Sequence, residues 1–195
     1  MIKKYTFNKR MNNAIILLHG LYTNAGFWLA YLNLFKDFRI ISYDINYNLL
    51  LKTQTSKYYL QEFLNECREE ENISAVISHS FGTVVSDLAF ENKQHDVFKI
   101  CPVAFSKRLD TQGFIIDIEN KSAHSKECIY EYMNLVSEFT SKFKDQLNYN
   151  GSIYIPKQDG FFSYEVPENK KIEFNGDHFN IGLALSDIVA QLTNQ

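Results

Sequence analysis

The chain has 195 residues, 45% hydrophobic and 22% charged, with a formal net charge of −3. This describes about one globular domain with a sizeable core and excludes a disordered or fibrous chain. The weakly acidic balance gives no electrostatic reason to expect nucleic acid or an anionic membrane, and no run approaches the ~20 apolar residues that span a bilayer.

The N-terminal basic residues Lys3, Lys4, Lys9 and Arg10 are interrupted by aromatics and read as a solvated strand or hairpin. Ala14 to Leu18 is a continuous apolar run, as expected of a strand covered on both faces. It is too short for a signal-peptide core and no small-residue cleavage site follows it, so the expected location is the cytoplasm. After His19-Gly20 comes a loop, then a short aromatic helix over Ala25 to Phe35 and a second strand over Phe38 to Tyr43. Thr55 to Glu71 sets Tyr58, Tyr59, Phe63 and Leu64 among charges and reads as an amphipathic helix.

Ile73 to Ser78 is the third strand, followed by SHSFG and a helix from about Phe81 to Asn92. Val97 to Ala104 is a fourth strand, interrupted near its end by Pro102. The pattern weakens from Phe105 to Lys126, where Gly113 to Ile118 reads as a local strand or flap. Glu127 to Leu147 is helical, Gly151 to Pro156 a fifth strand, Lys171 to Phe174 a sixth, and His178 to Leu192 a closing helix. Strands alternating with helices predict an α/β fold, a mostly parallel central sheet with helices on both faces. With no repeat and no Pro/Gly/Ser-rich linker, residues 1–195 read as a single domain, with 105–126 as its least regular insertion.

Cys67, Cys101 and Cys128 are odd in number and far apart, so they make neither a disulfide framework nor a metal site and read as structural. Chemistry concentrates instead at Ser78-His79-Ser80-Phe81-Gly82. A serine needs a base and an exposed hydroxyl to act as a nucleophile, and a tight strand-to-helix turn with small flanking residues provides the exposure. The pentapeptide is the G-x-S-x-G nucleophile elbow with Ser78 in place of the first glycine; by itself it also suits a merely polar turn.

At Leu18-His19-Gly20-Leu21-Tyr22 a buried strand again ends in a loop. The glycine lets the backbone turn, so that the N–H groups of Leu21 and Phe81 can point at one spot and form an oxyanion hole. His19 reads as a packed, hydrogen-bonded support beneath that loop. Past the fifth strand stands Asp159 in PKQDG, and past the sixth stand Asp177 and His178 in GDHFN. Both positions lie at the carboxyl ends of strands, where sites in open α/β sheets gather, and they follow the serine in the order acid, then histidine. Of the five histidines, His95 and His124 read as surface residues, and His79 as a bystander whose side chain diverges from its neighbour Ser80. His178 is left as the base. Asp159 is preferred to Asp177 as its partner, because Asp177 is placed to cap the last helix.

In this order and at these strand ends, LLHGLYTNAGFW, SHSFG, PKQDG and GDHFN resemble the α/β-hydrolase superfamily across nearly the whole chain. The opening segment looks like the corresponding loop of small esterases, such as pimeloyl-acyl-carrier-protein methyl ester esterases, and of related thioesterases. The resemblance implies Ser80 as nucleophile, Asp159 as acid, His178 as base and the N–H groups of Leu21 and Phe81 as oxyanion donors. It departs at Ser78, in the short chain, and in a cap reduced to about Phe105 to Lys126.

The expected activity is cleavage of a carboxylic ester or thioester through an acyl-enzyme, with no metal or organic cofactor. The substrate is a small molecule or a carrier-bound acyl ester, acyl carrier protein among the carriers. Tyr22, Trp28, Phe161 and Phe162 are the aromatics singled out to line the acyl pocket, against an ordinary core role for each. The rival readings are acyl transfer to an acceptor other than water, a lyase on the same three residues, and a non-catalytic binding module.

Overall fold

Residues 14–18 and 75–77 carry no polar side chain on either alternation, which suits strands buried on both faces. In the computed structural model, which describes residues 2–52, 55–90, 95–122 and 124–194, both lie at the centre of a mostly parallel sheet. In chain order the elements are β1 (Lys3–Phe7), β2 (Ala14–Leu18), a 3₁₀ segment (Ala25–Phe35), β3 (Arg39–Asp44), α1 (Tyr47–Leu51), α2 (Ser56–Arg68), β4 (Ile73–His79) and α3 (Gly82–Phe90). There follow β5 (Asp96–Ile100), β6 (Ser106–Arg108), α4 (Thr111–Lys121), α5 (Lys126–Lys142), β7 (Ser152–Pro156), β8 (Phe162–Tyr164), β9 (Lys171–Phe174) and α6 (Gly182–Thr193). No helix among the described residues is long and apolar enough to cross a membrane.

Among these residues the main sheet runs β1-β3-β2-β4-β5-β7-β9, and β6 and β8 make a separate antiparallel pair. Only β1 is antiparallel in the main sheet, at an edge where Lys3 and Lys4 discourage further pairing. The order turns back on itself between β2 and β4: from β2 the chain crosses outward to β3, and from β4 to β5, β7 and β9 on the other side. That switch point opens a crevice at the carboxyl ends of β2 and β4.

Alternation along the strands builds two cores. Ile16, Leu18 and Val76 face α1, α2, α3 and α5 through Leu50, Phe63, Val84 and Phe139. Ile15, Leu17 and Ile77 face the other way, onto Trp28 and Phe35 of the 3₁₀ segment and Leu185 and Ile188 of α6. A buried ion pair between Lys99 of β5 and Asp87 of α3, with Lys99 Nζ also donating to the Asn148 carbonyl at 2.7 Å, fastens α3 to the sheet.

Several boundaries differ from the sequence pattern. The segment over Gly113 to Ile118 is not a strand but the middle of α4. Asp110 caps that helix by accepting from the Gly113 N–H at 2.9 Å, and Phe114, Ile115 and Ile118 fall on one buried face. Its isoleucines favour strand locally, and burial against α5 overrides them. β5 stops at Ile100, because Cys101 adopts φ 52° and Pro102 follows. Helix α1 and strands β6 and β8 are too short to leave a periodic signal. The expected end of the elbow helix at Asn92 lies outside the described residues.

Candidate active site

β4 ends at His79 and α3 begins at Gly82, so the chain must turn through Ser80 and Phe81. Ser80 does so at φ 53°, in the left-handed region that residues with a Cβ avoid. Five non-glycine residues among those described have positive φ: two are asparagines, Asn8 and Asn72, and the others are Tyr22, Ser80 and Cys101. Those three all stand at the carboxyl edge of the sheet, and such strain persists only where the surroundings impose it.

The surroundings here are backbone. A Cβ on Gly82 would lie 2.6 Å from the carbonyl oxygens of both Leu18 and His19, and one on Gly20 would lie 2.8 Å from Ser80 Cβ. At Gly82 the elbow therefore touches the end of β2 main chain to main chain, which only glycine permits, and at Gly20 the β2 loop leaves room for the Ser80 side chain. Ser78 is fully buried beneath them, its hydroxyl 3.1 Å from Ser86 Oγ and 3.2 Å from the Phe98 carbonyl. Serine at the elbow's glycine position thus adds a hydrogen bond between β4, α3 and β5.

The loops after β7 and β9 bring the candidate base and acid to this serine. His178 Nε2 lies 3.0 Å from Ser80 Oγ, and its Nδ1 lies 3.4 Å from Asp159 Oδ2. The other carboxylate oxygen of Asp159 accepts from the N–H groups of Phe161 and Phe162 at 2.9 and 3.1 Å. Burial works against the Asp159 carboxylate, but its hydrogen bonds from His178, Tyr164 and Phe161 outweigh that and hold its pKa below the usual value.

Tyr164, on β8, was not foreseen. Its hydroxyl donates to Asp159 Oδ2 at 2.6 Å, and its oxygen lies 3.1 Å from His178 Nδ1, closer than the carboxylate itself. Burial, together with Cys101 and Asp159 nearby, raises the Tyr164 pKa strongly, so the phenol stays a neutral donor. A strand of three residues leaves no recognisable pattern; the one available signal was its position five residues after Asp159.

His79 is more than a bystander. Its ring stacks on Phe27 at 4.8 Å, and its Nε2–H donates to the His178 carbonyl at 2.7 Å, holding the loop that carries His178. Burial and the neighbouring His178 push its pKa down to about 3, so it makes this contact as a neutral imidazole. Asp177 caps a turn rather than α6: its Oδ1 accepts from Phe179 and Asn180 at 2.8 and 2.9 Å, and the helix begins only at Gly182.

On the β2 side, His19 is fully buried. Its Nε2 accepts from the Ile45 N–H at 2.9 Å and its Nδ1–H donates to the Gly20 carbonyl at 2.8 Å, while Tyr47 donates to its own carbonyl. Burial lowers its pKa, in keeping with the neutral tautomer those bonds require. With the Gly20 carbonyl so engaged, the N–H of Leu21 is given to no backbone carbonyl among the described residues, and neither is that of Phe81. Both residues border a cavity of about 30 Å³ that also contains Ser80 and His178.

Tyr22, Phe114, Ile118, Met133 and Phe162 make its apolar wall, so α4 and α5 lie over the site. The hydroxyl of Tyr22 donates to the Ile129 carbonyl at 3.0 Å and ties the β2 loop to α5. Trp28 does not reach this cavity. It is buried in the core on the opposite face, since the 3₁₀ segment turns its indole onto the sheet. Phe161 packs its ring on Phe114, 5.7 Å between centres, behind the cavity wall rather than in it. His124 is half-buried, edge-on to Tyr22 and Tyr132, rather than on the surface.

Strand order, switch point and elbow together are those of the α/β-hydrolase fold. Neither a protein-family model nor a curated protein sequence matches the chain. Solved structures do. A carboxylesterase of the ammonia-oxidizing thaumarchaeon Nitrososphaera gargenis is similar at TM-score 0.61 and 14% identity, over 99% of this chain and 95% of that one. A putative ancestral haloalkane dehalogenase is similar at TM-score 0.65 and 10% identity, over 100% and 96%. The thioesterase domain from the curacin biosynthetic pathway is similar at TM-score 0.62 and 8% identity, over 98% and 95%. At such identities the likeness is one of fold, and the fold hosts more than one chemistry.

Proposed function

We propose that this protein is a serine hydrolase that cleaves a carboxylic ester or thioester through an acyl-enzyme. The observation that carries the reading is a serine held at φ 53° on a strand-to-helix turn with its Oγ 3.0 Å from His178 Nε2. A strained serine within hydrogen-bond reach of an imidazole is what nucleophile activation requires.

Ser80 attacks the carbonyl carbon as His178 Nε2 takes its proton. The oxyanion that forms accepts from the N–H groups of Leu21 and Phe81 at the N-terminal end of α3, where the helix dipole also favours negative charge. Asp159, with the Tyr164 hydroxyl beside it and within reach of both groups, holds the Nδ1–H tautomer and stabilises the imidazolium. His178 then gives the proton to the leaving alcohol or thiol, and the acyl-enzyme is hydrolysed by a water that His178 deprotonates. In this reading residues 1–195 work as one domain, and the segment from Phe105 to Lys126, continued into α5, serves as a small cap.

A cavity of about 30 Å³ is far below the several hundred Å³ of common ligand sites and favours a short acyl group. An acyl carrier protein as donor of that group and a cytoplasmic location belong to the same proposal. A fluorophosphonate probe should modify the wild type at Ser80 and leave Ser80→Ala unlabelled. Absence of labelling in protein whose circular dichroism shows it folded overturns the hydrolase reading. In a series of p-nitrophenyl esters, kcat/KM should peak at the shortest acyl chains; a peak at long chains overturns the small-pocket assignment.

A further inference from the structure

Arg108 closes β6, and the antiparallel register sets it opposite Phe162 of β8. Its guanidinium carbon lies 5.4 Å from the Phe114 ring centre and 5.9 Å from that of Phe162. It borders the same cavity as Ser80 and His178. The Phe162 ring in turn lies 4.8 Å from the His178 imidazole, centre to centre, so one phenyl ring touches both the cation and the proposed base.

A guanidinium carries five N–H donors and remains charged at any physiological pH. The two rings answer part of its charge and none of its in-plane donors. Its Nε is buried without a hydrogen-bond partner. Burial presses its pKa down, and the titratable neighbour that opposes this, Tyr22, is kept neutral by its own burial. Lys99 shows the contrast: buried elsewhere in the fold, it has the carboxylate of Asp87. A half-buried charge with no carboxylate paired to it among the described residues is costly, and Arg108 lines the cavity that Ser80 and His178 also line.

We propose that Arg108 is an anion-recognition residue, and that the ester taken by this site carries a carboxylate a few bonds from its scissile carbonyl. The short reach follows from the single ring between Arg108 and His178. The inference rests on the hydrolase reading for its ester and on Arg108 alone for its anion.

The test compares esters with neutral twins at pH 7. Monoethyl glutarate against ethyl pentanoate puts the carboxylate on the acyl side, and carboxymethyl butyrate against ethyl butyrate puts it on the alcohol side. In one of the two pairs kcat/KM of the anionic ester should exceed that of its twin by about 10- to 100-fold, the range of a hydrogen bond to a charged group. Arg108→Gln should abolish that ratio and Arg108→Lys retain part of it. Because the ratio is taken within each variant, any loss of folded protein cancels. Equal rates within both pairs for wild type, or a preference that survives in Arg108→Gln, overturns the proposal.

A second measurement needs no turnover: glutarate should raise the melting temperature of the wild type and not of Arg108→Gln. Glutarate protection without fluorophosphonate labelling of Ser80 would keep the anion site and remove the hydrolase. Labelling with neither protection nor preference would do the reverse.

Discussion

The elbow and the two loops that face it are built by different means. Ser80 stands where the main chain at the end of β2 leaves Gly82 no room for a Cβ and the Ser80 side chain leaves none at Gly20, and where the Lys99–Asp87 pair and the Ser78 hydroxyl fasten α3 to the sheet. His178 and Asp159 stand on loops held by hydrogen bonds: from His79 to the His178 carbonyl, from Phe161 and Phe162 to Asp159, and from Tyr164 to the carboxylate. A sterically locked turn tolerates strain but no added atom. A hydrogen-bonded loop tolerates changes of shape but no lost donor.

Four substitutions separate these two modes. Asp159→Asn keeps the shape and removes the charge, so kcat should fall by about 10⁴-fold in protein that still folds. Asp177→Asn, which can still cap its turn, should leave kcat within a few-fold; the opposite result would make Asp177 the acid. Because the Asp159 pKa is held below its ordinary value, its charge contributes stability that is complete above the unfolded carboxyl pKa and is lost as pH falls through the folded one. Acid unfolding of Asp159→Asn should therefore show less of that loss than the wild type.

Gly82→Ala should do its damage to the fold instead. The new methyl meets two carbonyl oxygens that no rotamer can move, at a cost of about 3 kcal/mol, read from the urea midpoint. Tyr164→Phe should have a smaller effect on turnover than Asp159→Asn: kcat down by about 10- to 100-fold with KM unchanged, as expected for one charge-assisted hydrogen bond. The low-field Nδ1–H resonance of His178 should move as well, which a packing role for the phenol would not cause.

The parallel sheet and the positions of Ser80, Asp159 and His178 were legible because each rests on local sequence. An apolar run marks a buried strand, and a short polar segment after it marks the loop at its carboxyl end. Trp28 and Gly113 to Ile118 were not legible, for opposite reasons. Trp28 follows the β2 loop closely in sequence, yet the 3₁₀ segment turns its indole to the other face of the sheet. The isoleucines of α4 carry a local preference for strand that burial against α5 overrides.

The sequence by itself determined the strand order's ingredients, the small residues that an elbow requires, and the chain order of serine, aspartate and histidine, since these depend on residue type and near neighbours. Only the tertiary structure decided that the Tyr164 hydroxyl reaches both Asp159 and His178, that His79 holds the loop carrying His178, and that Arg108 borders the cavity with no carboxylate paired to it among the described residues. Each of these joins side chains brought together by the β6–β8 pair or by the crossing of β4 and β9 loops, and such long-range contacts carry no periodicity for a sequence to display.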